Sequence, residues 1–336
     1  MKLYKLIFLN LMMLGTLISV SSYTWMGMWM GLEINLLSII PLMSSTNNMF
    51  SSESALKYFI TQAIASLILL FSIIFMLMLN EFISPWLNSS LLLVMNSALL
   101  TKLGAAPFHF WFPEVMEGLN WVNCFILLTW QKIAPMILIM NNYLNLKFLF
   151  IIIVSSLIIS AMMSFNQTSL RKILTFSSIN HISWLISTMW ISFSIWFIYL
   201  IIYTFINLNI ILIFYYSNSF YLNQLSNNFN MNSLMKLSLM TNFMSLGGLP
   251  PFIGFLPKWL TINWLITNNF LTLTLILIIL TVIMIFVYIR MILTSLILNT
   301  LQPKNNSTKL KNFMLFFFNF FTTFSLVGFM FMFNLL

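Results

Sequence analysis

Aspartate is absent from the sequence, and acidic residues number five against fourteen Lys and Arg. Charged residues make up 6% of 336 positions, where a soluble domain carries about a quarter. So few charges cannot coat a water-exposed surface of this size. The single cysteine, Cys124, excludes an internal disulfide, a cysteine zinc site and an iron–sulfur cluster. No Gly-x-Gly-x-x-Gly turn, Walker lysine loop or metal-ligand cluster occurs, so no nicotinamide, flavin, cluster or metal site is expected in this chain. The rest is apolar: 61% hydrophobic residues and a mean hydropathy of +1.00. That excludes disorder as firmly as it excludes a soluble fold. The net charge of +9 contains no basic run, so nucleic acid is not an expected partner. The composition is that of an all-α polytopic membrane protein of one domain, 1–336. Ile, Phe, Leu, Met, Asn and Lys abound while Val and Ala number eight each. That bias toward AT-rich codons is shared by many animal mitochondrial genomes.

A bilayer core of about 30 Å takes about 20 apolar residues per helix. Apolar runs between polar punctuation predict eleven spans, near 4–21, 23–44, 55–79, 89–121, 122–142, 146–166, 170–191, 193–216, 236–268, 270–296 and 312–334. Two of them, 89–121 and 236–268, are too long for one straight crossing. Each contains a breaker, Gly104-Ala105-Ala106-Pro107 and Gly247-Gly248-Leu249-Pro250-Pro251. Proline withholds a backbone donor and clashes with the preceding turn, so each is expected to be two half-helices. The first span also fits a signal peptide weakly, through Lys2, Lys5 and the small residues of Ser19-Val20-Ser21. A transmembrane role is favoured, because its removal spoils the repeat described next.

Orientation follows the distribution of Lys and Arg. With the N-terminus on the positive side, that side receives Lys2, Lys5, Lys57, Arg171, Lys172, Lys236, Arg290, Lys304, Lys309 and Lys311, and the other only Lys147. In a mitochondrion the positive side is the matrix, which places the C-terminus in the intermembrane space. The two broken spans are the fourth and the ninth, five apart. Five is odd, so helices 1–5 (about 1–144) and 6–10 (about 145–298) form an inverted-topology repeat with function expected at the breaks. The span at 312–334 is a lateral addition.

Three basic residues and one acid lie deep in these spans. At about 1.5 Å per residue, Lys132 is roughly 16 Å from Trp121, Lys102 roughly 18 Å from Ser90, Lys258 roughly 15 Å from Asn268, and Glu33 roughly 15 Å from Tyr23. A charge at the centre of a membrane helix costs about 2.5–3.5 kcal/mol on insertion scales. Snorkelling serves residues near helix ends, and one structural ion pair still leaves two lysines unexplained. Proton or ion handling is the favoured reading. His109 follows the first break and His181 lies midway along its helix beside Ser177, Ser178 and Asn180. Each is either a satisfied core histidine or a relay member. Glu114 and Glu117 read as interfacial residues, with proton entry as the sharper alternative. The aromatic run Phe108-His109-Phe110-Trp111-Phe112 reads as packing, and the 26 methionines as lipid-facing filler rather than copper ligands.

The stretch from Thr101 to Val115, including Lys102, the Gly104–Pro107 break and Glu114, resembles the broken-helix signature of the antiporter-like subunits of respiratory complex I. Gly247 to Trp259 resembles their second signature, and Leu170 to Leu174 with Ser177 to His181 a third. The likeness runs along essentially the whole chain and is closest to the shortened, mitochondrially encoded animal form. One paralogous subunit carries glutamate where Lys258 stands. The resemblance implies that Glu33 is the membrane glutamate, Lys102 its paired lysine, Lys132 the connecting lysine and Lys258 the lysine of the second broken helix. It implies a proton-translocating module whose NADH, flavin, iron–sulfur clusters and ubiquinone are bound by other subunits. Neighbouring membrane-arm subunits, further antiporter-like subunits among them, and inner-membrane lipids such as cardiolipin are the implied partners. Ser183 departs from a glycine common after the histidine, and the three N-terminal helices of the bacterial form are missing. A free-standing cation/proton antiporter subunit and a non-pumping spacer of the membrane arm are the rival readings.

Overall fold

The computed structural model describes residues 3–45, 48–79, 85–142, 145–229, 233–297 and 320. The expected eleventh span lies outside these residues except for Phe320, as do Lys2, Lys304, Lys309 and Lys311. Among the described residues the chain is helical without a strand; Ser169 and Tyr221 form an isolated β-bridge. Seven stretches are long and apolar enough to cross a membrane: Leu3–Ser21, Trp25–Met43, Met49–Met78, Trp121–Asn141, Leu146–Ser164, Phe193–Ser217 and Leu271–Leu293. The chain divides into two compact units, residues 1–152 and 153–336.

The first unit contains α1 (Leu3–Ser21), α2 (Trp25–Met43), α3 (Met49–Leu79), α4 (Pro85–Leu103), α5 (Trp111–Gly118), α6 (Trp121–Leu128) and α7 (Trp130–Asn141). The helices are built outward from small and polar residues. In α1 the buried positions are Met12, Gly15, Thr16 and Ser19, while Leu6, Ile7, Leu14 and Leu17 are exposed. In water that distribution is upside down; in lipid, small residues let backbones approach and leucine faces the solvent. A Cβ on Gly31 of α2 would stand 2.5 Å from the Ser19 nitrogen, and one on Gly15 2.8 Å from the Asn35 nitrogen. The α1–α2 contact is therefore backbone against backbone.

The second unit contains α9 (Leu170–Met189), α10 (Phe193–Ser217), α11 (Leu222–Phe229), α12 (Ser233–Gly247), α13 (Phe255–Thr267) and α14 (Leu271–Ile297); the division falls within α8 (Leu146–Ser164). The buried hydroxyls of Ser156, Ser160 and Ser164 on α8 bond back to the carbonyls three residues earlier, which satisfies them without water. Helix α9 is buried from Ile173 to Met189 although nearly half of these residues are polar. It is the polar axis of this unit. Arg290 of α14 donates to the carbonyls of Phe165 and Gln167 just beyond α8.

Three local features differ from the expectation. Helix α3 starts at Met49 rather than 55, because Ser51 and Ser52 are accommodated by bonds to the carbonyls of Asn48 and Met49. The span expected as continuous over 122–142 is interrupted at Thr129. There the hydroxyl bonds back to Phe125, and Pro135 withholds a helical bond two turns on. The short α11, whose flanks pair with Thr168 and Leu170, was not expected from the polar stretch that encodes it.

Candidate functional site

Both expected interruptions are present, and they close in the same way. At the end of α4 the nitrogen of Gly104 bonds to the Thr101 carbonyl and that of Ala105 to Leu100. At the end of α12 the nitrogen of Gly248 bonds to Ser245 and that of Leu249 to Met244. This pair of reverse bonds needs a left-handed residue just past the helix; Gly104 has φ +74° and Gly248 φ +78°. The chain resumes as a helix at Trp111 in one case and Phe255 in the other. Proline thus marks the breaks in the sequence, and glycine performs them.

Around the first break, Lys102 occupies the last turn of α4 and is 8% exposed. The indole of Trp111 donates back to the Thr101 carbonyl at 3.0 Å, holding the start of α5 under the end of α4. Lys57 of α3 sits between Glu53 at 3.0 Å and Glu114 at 3.1 Å. Gly118 lies so close to α3 that a Cβ there would run into the Phe50 carbonyl. His109, buried, stands in the turn between the half-helices with its ring against Phe110. Glu117, like Glu114, belongs to α5.

No ion pair joins Glu33 and Lys102 among the described residues, and Glu33 Oε1 is buried without a hydrogen bond. The polar groups that share a small cavity with Lys102 are Asn35, Tyr58, Gln62 and Gln131. None of these four was singled out by sequence reasoning. The available signal is a polar residue in an otherwise apolar helix, which is weaker than a buried charge. Lys132, next to Gln131, is 2% exposed in α7.

Around the second break, Lys258 is 6% exposed in the first turn of α13. Its Nζ donates to the carbonyls of Gly247 at 2.8 Å and Leu246 at 3.2 Å and lies 5.7 Å from the centre of the Trp184 ring. The last carbonyls of a helix lack intrahelical partners, and a cation is favoured at that end. On α9, His181 Nδ1 is 2.9 Å from the Tyr199 hydroxyl, with the Tyr203 ring 5.0 Å away. Ser178 and Asn207 lie beside Tyr203 and Ser177 beside Tyr288, whose hydroxyl is buried without a hydrogen-bond partner. The unit thus holds a buried cluster of phenols, hydroxyls and one imidazole. Among the described residues no cluster of His, Cys, Asp or Glu has the makings of a metal site.

The model of the NADH:quinone oxidoreductase/Mrp antiporter transmembrane family matches residues 22–284. The chain is 49% identical over 271 residues to NADH-ubiquinone oxidoreductase chain 2 of Anopheles gambiae, covering 80% of this chain and 79% of the relative. Its fold is similar to a chain of respiratory complex I from Thermus thermophilus, with a TM-score of 0.84 at 19% identity over 97% of this chain and 79% of that one. It is also similar to a chain of the Mrp complex from a Dietzia species, with a TM-score of 0.74 at 14% identity over 89% of this chain and 62% of that one. A family match across most of the sequence, and a relative half identical along four-fifths of it, place the chain in the NADH:quinone oxidoreductase/Mrp antiporter membrane family.

Proposed function

We propose that this chain is the chain 2 subunit of the membrane arm of respiratory complex I and translocates protons while NADH oxidation and ubiquinone reduction proceed in other subunits. It is then a multi-pass protein of the mitochondrial inner membrane with its N-terminus on the matrix side. NADH, flavin, iron–sulfur clusters and ubiquinone are assigned to the other subunits, and further antiporter-like subunits and inner-membrane lipids such as cardiolipin to its surroundings.

The observation that carries this reading is the pairing of a desolvated lysine with each interrupted helix. Lys102 and Lys258 are buried, and neither has a carboxylate partner within ion-pair distance among the described residues. A lysine kept for structure alone would be neutralised by a neighbour. Lys102, Lys132 and Lys258 are the proposed proton-carrying groups, Glu33 the acid that acts on Lys102, and His109 and His181 further relay candidates. Desolvation favours the neutral amine and a nearby carboxylate the charged one, so a change in the distance to Glu33 loads or unloads Lys102.

Lys102→Met tests the reading, because it keeps the stem and removes the charge. In the assembled complex, reconstituted into vesicles, coupled NADH–quinone turnover and proton pumping should fall sharply while assembly is retained. Normal pumping would leave the spacer reading. The likeness to the Mrp complex favours a free-standing antiporter subunit as the second reading, and it predicts no comigration of this chain with a large NADH-oxidising assembly.

A further inference from the structure

The cavity beside Lys102 is framed by a specific polar arrangement. Asn35 Nδ2 donates to Gln131 Oε1 at 3.1 Å, and Gln131 Nε2 donates back to Asn35 Oδ1 at 2.8 Å. The two amides form a closed ring between α2 and α7. Tyr58 of α3 adds a longer bond to the same Gln131 oxygen at 3.4 Å. Gln62, one turn along α3, also lines the cavity; it is 4% exposed and its Nε2 has no hydrogen-bond partner. Pro135, another lining residue, withholds the N–H that would bond the Gln131 carbonyl. About 10 Å³ of the cavity is open to the centre of a water molecule, about the least that holds one.

We infer that this cavity is a binding site for a single water held between the Lys102 ammonium and the Gln62 amide, and that Gln62 and Gln131 are positioning residues for proton movement through Lys102. The inference rests on the proposed role of Lys102 and deepens it. A buried water needs two to four polar partners. Gln62 Nε2 supplies an unused donor, Lys102 a donor when charged and an acceptor when neutral, and each ring amide keeps a second N–H. Gln131 has its oxygen occupied twice and its nitrogen once, which fixes the remaining N–H. The amides do not titrate; they orient the water against the Lys102 amine, which does. The ring also ties the wall of the Lys102 cavity to α7, whose next residue is Lys132. Sequence spacing gives no hint of this link, since Asn35 and Gln131 are 96 positions apart.

Two measurements on the intact complex test the site. In a cryo-EM map that resolves waters, one water should lie within hydrogen-bond distance of both Gln62 Nε2 and Lys102 Nζ; a dry cavity overturns the inference. Gln62→Met, similar in size but apolar, should lower coupled turnover about tenfold and raise its solvent deuterium isotope effect. Gln62→Asn, which keeps an uncharged amide donor on a shorter stem, should recover part of the rate. Wild-type rate and isotope effect in an assembled Gln62→Met complex would refute the positioning role. Should that variant not assemble, the map of the unaltered complex decides alone. A dry cavity in a complex that Lys102→Met still disables removes the water site and leaves the role of Lys102 intact.

Discussion

Lys258 donates to the carbonyls of Gly247 and Leu246, so a side chain of α13 caps the helix that comes before it. Lys258→Met should therefore do two things that Lys102→Met does not do together. It removes a proposed proton carrier, and it leaves two buried carbonyls without their donor, at a cost of about 1–3 kcal/mol. Thermal denaturation of the purified complex should show the Lys258 variant less stable than the Lys102 variant, with pumping low in both. Equal stability would mean that the cap has no structural weight.

Gly248 is held by two constraints, its left-handed backbone and the Lys258 side chain 2.7 Å from where a Cβ would stand. Gly104 shares the backbone constraint, but its nearest neighbours would be the rings of Phe112 and Trp111 at 3.2 Å. An alanine at either position pays about 1–2 kcal/mol for the backbone. Only Gly248→Ala should also displace a proposed relay lysine. Proton pumping per NADH should separate the two: a larger loss in Gly104→Ala would contradict this assignment.

Glu33 is proposed to act on Lys102 although no ion pair joins them among the described residues. Glu33→Gln should lower coupled turnover in the same direction as Lys102→Met but by less. Because Glu33 is proposed to work through Lys102, the double variant should resemble Lys102→Met alone. Losses that simply add would mean that Glu33 serves a different proton step.

At the exposed end of α5 the charges of Lys57, Glu53 and Glu114 are solvated, and such pairs contribute little. Lys57→Ala should leave assembly and turnover unchanged. Gly118→Ala should impair both, because its methyl group would meet the backbone of α3 at Phe50. Native gels of the two variants check the contrast: α5 is seated by shape and not by charge.

Both interruptions were legible because glycine and proline carry their backbone consequences with them, whatever they pack against. The buried lysines were legible for a similar reason, since a charge in an apolar run stands out at once. Neither property extends to Asn35, Gln62 and Gln131. Their amides matter through partners contributed by other helices, and no local spacing reports which helix lies opposite. The interruption at Thr129 was missed although Pro135 is visible, because proline leaves open where in the preceding two turns the helix gives way. Glu33 and Lys102 were expected as a pair; the hydrophobic pattern placed each along its helix but could not set the gap between them.

The lysine cap gives the second break a property that glycine and proline alone cannot provide: its shape answers to charge. An ammonium facing two carbonyls at the negative end of a helix is held more tightly than a neutral amine. If Lys258 carries the proposed proton, its departure weakens the hold on the end of α12. Nζ of Lys258 would then serve as a latch, in the electrical and the mechanical parts of the molecule at once.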